Sequence, residues 1–339
     1  MRRPAQRLWP ISFSFARQAA AGTSGASRND GMPLPLSPNM RAALFMTVSM
    51  AGFTINDGIA KYMSEVMNMG QVQFLRGAFA TLFIAALAWH RGAFAKLRLA
   101  LHPMVLVRVV SEVLAAVTFL IALAQLPIAN VSAVLQALPL AVTMGAALIY
   151  GETVGWRRWL AIAVGFAGVA VIVRPGLEGF STHSLVALAC VGFCTVRDLA
   201  TRRIPEHIPT LLISTVTAAA VCVSGAFIIQ PMGGWTPPGA FHLLLLASAA
   251  GLLLVGYQFI ILAMRSGEIS FVAPFRYTGL LFSILLGLLV FGDIPDIAMI
   301  VGSAIIVGSG LYMLYRERVV GRSKAAAESV GPGMAPEGL

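Results

Sequence analysis

Charged residues are scarce in this sequence: they account for 11% of its 339 residues, whereas 58% are hydrophobic. A soluble domain typically carries charged side chains at about a quarter of its positions, because these side chains solvate its surface. The composition therefore argues against one or two soluble domains. It favours a protein whose surface faces lipid.

Cysteine and histidine are also rare, with three and five copies. Cys190 and Cys194 are one helical turn apart, but no histidine or further cysteine accompanies them, so we interpret them and Cys222 as packing residues. The single Asp-x-x-Asp motif, Asp293–Asp296, lacks the second acidic cluster that metal-dependent chemistry on a diphosphate requires. We therefore predict no metal, no cofactor and no catalytic residue, and an intramembrane enzyme is the unlikely alternative from another functional class.

Long apolar runs are what the sequence does contain, and ten of them approach the ~20 residues that cross a bilayer as a helix. The predicted spans are about Ala42–Tyr62, Val72–His90, Pro103–Ala124, Asn130–Tyr150, Arg158–Val173, His183–Arg203, Thr210–Ile229, Phe241–Met264, Ile269–Phe291 and Ile297–Tyr315. The sequence thus predicts an all-α polytopic membrane protein.

The basic residues lie in alternate connecting segments and near both ends of the chain. They include Arg2, Arg3, Arg7, Arg91, Arg98, Arg157, Arg158, Arg202, Arg203, Arg265, Arg316 and Arg318, whereas the opposite segments carry only Lys61 and Arg174. By the positive-inside rule this pattern places both termini in the cytoplasm and requires an even number of spans. The net charge of +10 therefore indicates a multi-pass protein of the cell inner membrane, in contact with the lipid bilayer, and not a nucleic-acid-binding protein.

The two halves of the chain are similar when one is shifted by 141 residues against the other. This offset aligns Asp57 with Asp198, Lys61 with Arg202, Ala122 with Ala263, Val131 with Val272, and Gly151–Glu152 with Gly292–Asp293. Each half then holds five spans, and because five is odd the second half inserts upside down. Inverted repeats around a midplane site are typical of secondary transporters that work by alternating access.

We predict four regions from these patterns. Residues 1–40 form a disordered cytoplasmic tail or precede the true start of the protein, residues 41–175 form the first five-helix repeat, and residues 182–316 form the second. Residues 317–339 form a second disordered cytoplasmic tail.

Five short stretches of the sequence are distinctive: Asn56-Asp57-Gly58 with Lys61, Gln73–Arg76, Ala122–Pro139, Ala273–Tyr277 and Phe291–Asp293. They resemble the EamA-like family of the drug/metabolite transporter superfamily, and the resemblance covers about residues 41–316. The resemblance implies a transporter of a small organic solute. Within the superfamily the chain is similar to proteobacterial riboflavin importers, which implies riboflavin uptake, while similarity to exporters of amino acids and other metabolites leaves the direction open. One departure is Asp293, where such repeats usually have Glu.

Ionisable residues inside a membrane are costly and therefore call for a role. Glu112 is near the middle of the third span, and Arg108 precedes it by one turn. Glu112 is a candidate for coupling transport to protons or for contacting the solute, or it belongs to a buried ion pair. Arg76 and Arg276 are candidates for binding an anionic group of the solute or for pairing with Glu112.

The repeat-related residues Asp57 and Lys61, and likewise Asp198 and Arg202, are four residues apart, which is the spacing of an ion pair along a helix. We interpret them as pairs at helix ends or as gates at opposite sides of the membrane. Gly151 and Gly292 are predicted to end helices.

A further polar and aromatic set could bind a neutral aromatic solute. It consists of Asn56, Phe119, Gln136, Tyr257, Gln258 and Tyr277. The sequence does not distinguish a carrier from a channel, and it leaves open a homodimer.

Overall fold

A computed structural model of the protein describes residues 37–176, 180–205 and 207–320, and within them every regular element is helical. Ten helices are long and apolar enough to cross a membrane, as predicted. We number the ten spans α1 to α10. Eight are single α-helices: α1 Pro38–Ser64, α2 Met69–His90, α3 Pro103–Gln125, α5 Trp156–Val173, α6 Thr182–Arg202, α7 Thr210–Ile229, α8 Ala240–Ser266 and α10 Ile297–Val320. A 3₁₀-helix, Ala93–Leu101, connects α2 to α3.

The remaining two spans are interrupted, which the hydropathy pattern did not predict. Span α4 consists of Ile128–Leu135 and Leu138–Tyr150. Span α9 consists of Ile269–Val272, a 3₁₀ segment Ala273–Tyr277, Thr278–Leu286 and a π-helical segment Gly287–Phe291.

Proline accounts for both interruptions. Pro139 has no backbone N–H to donate to the carbonyl of Leu135, and α4 breaks at that carbonyl. Pro274 is at the start of the 3₁₀ segment of α9. Since Leu135 and Arg276 are related by the repeat offset, the two breaks occur at equivalent places in the two halves.

Sequence signals at the helix ends agree with the structure. The Ser37 hydroxyl caps α1 by accepting a hydrogen bond from the backbone N–H of Met40 at 3.2 Å. Gly151 and Gly292 follow the last residues of α4 and α9 in the left-handed conformation, with φ of 67° and 68°. Glycine adopts this conformation without steric cost, so both predicted helix ends are confirmed.

The helices pack in pairs that join the two halves. The most extensive contacts are α1 with α8, α2 with α7, α3 with α6, and α5 with α10, and the first segment of α4 contacts α9. A twofold relation between the repeats produces this pattern. It exchanges the pair α1–α8 with the pair α3–α6, and it relates each of the pairs α2–α7, α4–α9 and α5–α10 to itself. Glycine permits the closest approaches: a Cβ on Gly225 of α7 would lie 2.5 Å from the backbone nitrogen of Phe74 in α2.

The predicted domain boundaries stay predictions. Helix α1 already includes residues 38–40, and the backbone of α10 continues through residues 317–320, so both helices extend into regions predicted as tails. The rest of the two predicted tails, residues 1–36 and 321–339, lies outside the described residues.

Candidate functional site

A central cavity lies among α1, α4, α8 and α9, with one residue of α10 at its edge. The volume of the cavity is about 130 Å³. Its polar lining consists of Thr54, Asn56, Asp57, Ser132, Gln136, Tyr257, Arg276, Tyr277 and Ser283, and its apolar lining includes Met50, Phe53, Leu135, Leu138, Leu253 and Ile260.

The two interrupted spans meet at this cavity. Leu135 and Gln136, at the break in α4, and Arg276 and Tyr277, at the 3₁₀ segment of α9, all line it. The Ser132 hydroxyl donates a hydrogen bond of 2.7 Å to the Ser283 hydroxyl, which connects the two spans. Breaks in the regular hydrogen bonding of membrane helices are tolerated where they face a cavity, and such breaks commonly form the solute site of a transporter.

Asp57 contributes a carboxylate to the cavity from α1. Its Oδ1 accepts a 2.9 Å hydrogen bond from the side-chain amide of Asn56, whose own oxygen accepts a 3.3 Å bond from Arg76. Within the described part of the chain, no Lys, Arg or His nitrogen lies within 4.0 Å of the Asp57 carboxylate. The cavity therefore presents an acid that no cation of the described chain neutralises by direct contact.

Aromatic side chains form part of the cavity wall. The rings of Phe53 and Tyr257 are in edge-to-face contact, with centroids 4.9 Å apart. Tyr277 is 8% exposed, and its hydroxyl has no hydrogen-bond partner among the described residues. This hydroxyl fits against α10 at Gly310, where a Cβ would be only 1.8 Å away.

Glu112 belongs to a buried ion network between α3 and α6, away from the cavity lining. Arg197 donates from Nη1 to Glu112 Oε2 at 2.9 Å, and both side chains are fully buried. A second nitrogen of Arg197 lies 2.6 Å from Asp198 Oδ1. Glu112 thus has an ion pair with Arg197, a partner that was not predicted, and its roles in proton coupling and solute contact stay predictions.

Sequence reasoning missed Arg197 altogether. An inventory of every ionisable residue inside a predicted span would have included it, because it precedes Asp198 in the sixth span. Its pairing with Glu112 could not have been inferred, since the two residues are 85 positions apart and meet through the packing of α3 on α6.

The four residues of the two predicted gate pairs have other partners in the structure. The Lys61 ammonium donates to the carbonyls of Leu123 and Leu126, at 3.1 and 2.7 Å, near the C-terminal end of α3. Arg202 instead lies 3.6 Å from Glu152. Asp57 faces the cavity, and Asp198 contacts Arg197. The predicted ion pairs Asp57–Lys61 and Asp198–Arg202 are therefore wrong. A role of these residues in gating stays a prediction.

The other predicted site residues divide into two groups. Asn56, Gln136, Tyr257, Arg276 and Tyr277 line the cavity together with Asp57. Arg76, Glu112, Phe119 and Gln258 do not line it. Phe119 is packed in the main hydrophobic core, and Arg76 reaches the cavity only through its bond to Asn56.

Comparison with known proteins finds similarity to a family of transporters. Residues 40–174 match the model of the EamA-like transporter family. The chain is 24% identical to an S-adenosylmethionine uptake transporter of Rickettsia prowazekii over 84% of its length and 95% of the relative's. It is 28% identical to a riboflavin transporter of Vibrio cholerae over 79% of its length and 91% of the relative's.

The fold is also found in a solved crystal structure. That structure aligns with a TM-score of 0.57 at 19% identity, and the alignment covers 82% of this chain and 98% of the other. At this identity the likeness concerns the fold alone. Together with the match over residues 40–174, the ten apolar spans identify a multi-pass inner-membrane protein and small-molecule transporter, which is similar to the EamA-like transporter family over that part of its length.

Proposed function

We propose that this chain is a secondary transporter that binds a small organic metabolite in the central cavity and exposes it alternately to the two sides of the membrane. The observation that carries this proposal is the meeting of two repeat-related helix breaks at one cavity. Two halves that pack helix against helix can rock about such a site, since the breaks supply backbone that bends without disturbing the rest of each span. Both termini are cytoplasmic in this proposal. We assign no enzymatic activity to the chain, and the relatives named above are likewise transporters.

Riboflavin uptake, the activity predicted from the sequence, is one candidate. It is supported by the named Vibrio relative and by the aromatic side chains Phe53 and Tyr257 in the cavity wall. An aromatic ring system of the flavin type can stack or make edge contacts with such side chains. Export of an amino acid or related metabolite is the alternative in direction.

A second candidate is an ionised metabolite, and the charges of the cavity favour it. Asp57 and Arg276 both line the space, and a neutral flavin would leave each without a charged partner on the solute. S-adenosylmethionine, which the Rickettsia relative takes up, carries both positive and negative groups. Proton coupling through Glu112 stays a prediction; it requires the carboxylate to be released from Arg197 during the cycle.

The proposal is tested by flux in vesicles that contain the purified full-length chain. We expect saturable uptake of labelled riboflavin or S-adenosylmethionine and exchange of label against unlabelled solute on the opposite side. Flux that does not saturate and shows no exchange would indicate a channel and would contradict alternating access. Growth of a riboflavin-requiring strain that expresses the chain, on limiting riboflavin, tests the flavin candidate separately.

Two tryptophan substitutions in α4 test whether the cavity is the route. Ser132→Trp places a large ring in the cavity, whereas Leu148→Trp changes a side chain that is 69% exposed on the outer surface of the bundle. We expect the first variant to lose transport and the second to retain it. Equal transport by both variants would exclude this cavity as the route.

A further inference from the structure

The two charged groups of the cavity are at different depths. The Thr54 hydroxyl of α1 donates a 3.3 Å hydrogen bond to the carbonyl of Gly279 in α9, so these two residues are level with each other. Both spans run in the same direction. Asp57 is three residues beyond Thr54, and Arg276 is three residues before Gly279, so their backbones are about 9–10 Å apart along the helix axes.

This separation gives the cavity an acidic end and a basic end. The amide of Gln136 and the aromatic side chains of Tyr257 and Phe53 line the same cavity. A carboxylate in a space within the membrane is stabilised only by hydrogen bonds or a cation. Asp57 receives one hydrogen bond from Asn56 and has no cation of the described chain within 4.0 Å.

The neighbouring arginine does not fill this role directly. Arg76 donates to the oxygen of Asn56, which in turn donates to Asp57, so the guanidinium fixes the orientation of the amide and not the carboxylate itself. Asn56 is 1% exposed and is held between the two charges. The arrangement leaves the carboxylate pointing at the cavity with capacity for further donors.

We infer that the transported solute is a dipolar organic ion, whose cationic group binds Asp57 and whose carboxylate or other anionic group binds Arg276. The inference rests on the proposed function and specifies its substrate class. A solute with opposite charges several ångströms apart matches both ends of the cavity at once. Its apolar or aromatic part would contact Phe53 and Tyr257. A neutral solute would contact the aromatic side chains but would offer no cation to Asp57.

The first experiment offers vesicles containing the full-length chain an equimolar mixture of the twenty standard amino acids, S-adenosylmethionine and riboflavin, with mass spectrometry of the trapped contents. We expect accumulation of one or more dipolar members above empty vesicles, and no accumulation of riboflavin. Accumulation of riboflavin alone would overturn the dipolar inference and leave the transport proposal intact. If nothing accumulates, the transport proposal fails, and the inference that rests on it fails as well.

A second experiment assigns each charge with analogues that lack one charge. The N-α-acetyl and methyl-ester forms of the accumulated compound compete with it for uptake. The first lacks the α-ammonium charge, although S-adenosylmethionine would keep its sulfonium, and the second lacks the carboxylate charge. Against the unmodified protein, we expect each analogue to compete at least about tenfold more weakly than the parent compound, because a charge-assisted hydrogen bond is lost.

The variants then remove the matching side chain. In Asp57→Asn the penalty for N-acetylation should fall towards onefold while that for esterification persists, and Arg276→Gln should show the reverse. Each ratio is measured within one variant, so a partial loss of folded protein cancels. Arg174→Gln is the control for removal of an arginine remote from the cavity, and both penalties should persist in it. Penalties that are the same in all three variants would overturn the assignment of the two ends.

Discussion

Asn56–Asp57 in α1 and Arg197–Asp198 in α6 occupy equivalent positions in the two halves, yet their surroundings differ. In the first half an asparagine precedes the acid, and the acid faces the cavity. In the second half an arginine precedes it, and that arginine binds both Asp198 and the fully buried Glu112. We propose from this comparison that the same acid contacts the solute in one copy of the repeat and stabilises the fold in the other, depending on its neighbour.

The largest effect on stability is expected from Arg197→Met. It removes the cation that Glu112 and Asp198 share, and removing one partner of a fully buried pair such as Arg197 and Glu112 costs about 3–5 kcal/mol. We expect a large fall in melting temperature in detergent and poor recovery of monodisperse protein. Arg197→Lys, which keeps the charge, should fall between this variant and the unmodified protein. A melting temperature unchanged in Arg197→Met would show that the network does not stabilise the fold.

Gly310→Ala should produce the next largest effect, and it tests a second difference between the halves. The new Cβ would overlap the Tyr277 hydroxyl, and overpacking typically costs about 1–3 kcal/mol. The equivalent residue of the first half is Val169, which already carries a side chain. Tyr277→Phe should relieve part of the loss by removing the hydroxyl. Gly308→Ala is the matched control, because a Cβ there has no neighbour within 4 Å; an equal loss in the control would contradict the proposed overlap.

Lys61 and Arg202 are also equivalent in the repeat. We expect the loss of stability to be larger when Lys61 is replaced than when Arg202 is replaced, and both losses to be smaller than that for Arg197→Met. Lys61→Met removes two hydrogen bonds to the carbonyls of Leu123 and Leu126, at a cost of about 1–3 kcal/mol. Arg202→Met removes a partly exposed pair with Glu152 at 3.6 Å, worth less than about 1 kcal/mol. Thermal unfolding of both variants under identical conditions makes the comparison. A loss for Arg202→Met as large as for Lys61→Met would contradict it.

The sequence predicted the ten spans because hydropathy and charge placement depend on the bilayer and not on tertiary contacts. The helix ends at Gly151 and Gly292 were also predictable, because a left-handed glycine after a helix depends on local sequence and not on tertiary contacts. The repeat offset also identified Asp57 and Asp198 as equivalent before any contact was known. What it could not predict was that an adjacent residue would decide their different partners.

The helix breaks and the ion network were not predicted, for physical reasons. Proline is tolerated inside membrane helices, so Pro139 and Pro274 did not by themselves indicate interruptions. The spacing of Asp57 and Lys61 suited an ion pair within one helix, but Lys61 finds carbonyls at the end of α3 instead. Such choices depend on which helices pack together, and that information lies in contacts between residues far apart in the chain.

The comparison of Asp57→Asn with Asp198→Asn tests the central claim most directly, with uptake and melting temperature measured on both variants. We expect Asp57→Asn to keep its melting temperature and to transport a dipolar solute about tenfold to a hundredfold more slowly, because a hydrogen bond to a charged group is worth about 1.5–3 kcal/mol. We expect Asp198→Asn to lower the melting temperature, while the transport per folded molecule is retained. The reverse result, with stability lost at Asp57 and solute transport lost at Asp198 in well-folded protein, would contradict the account.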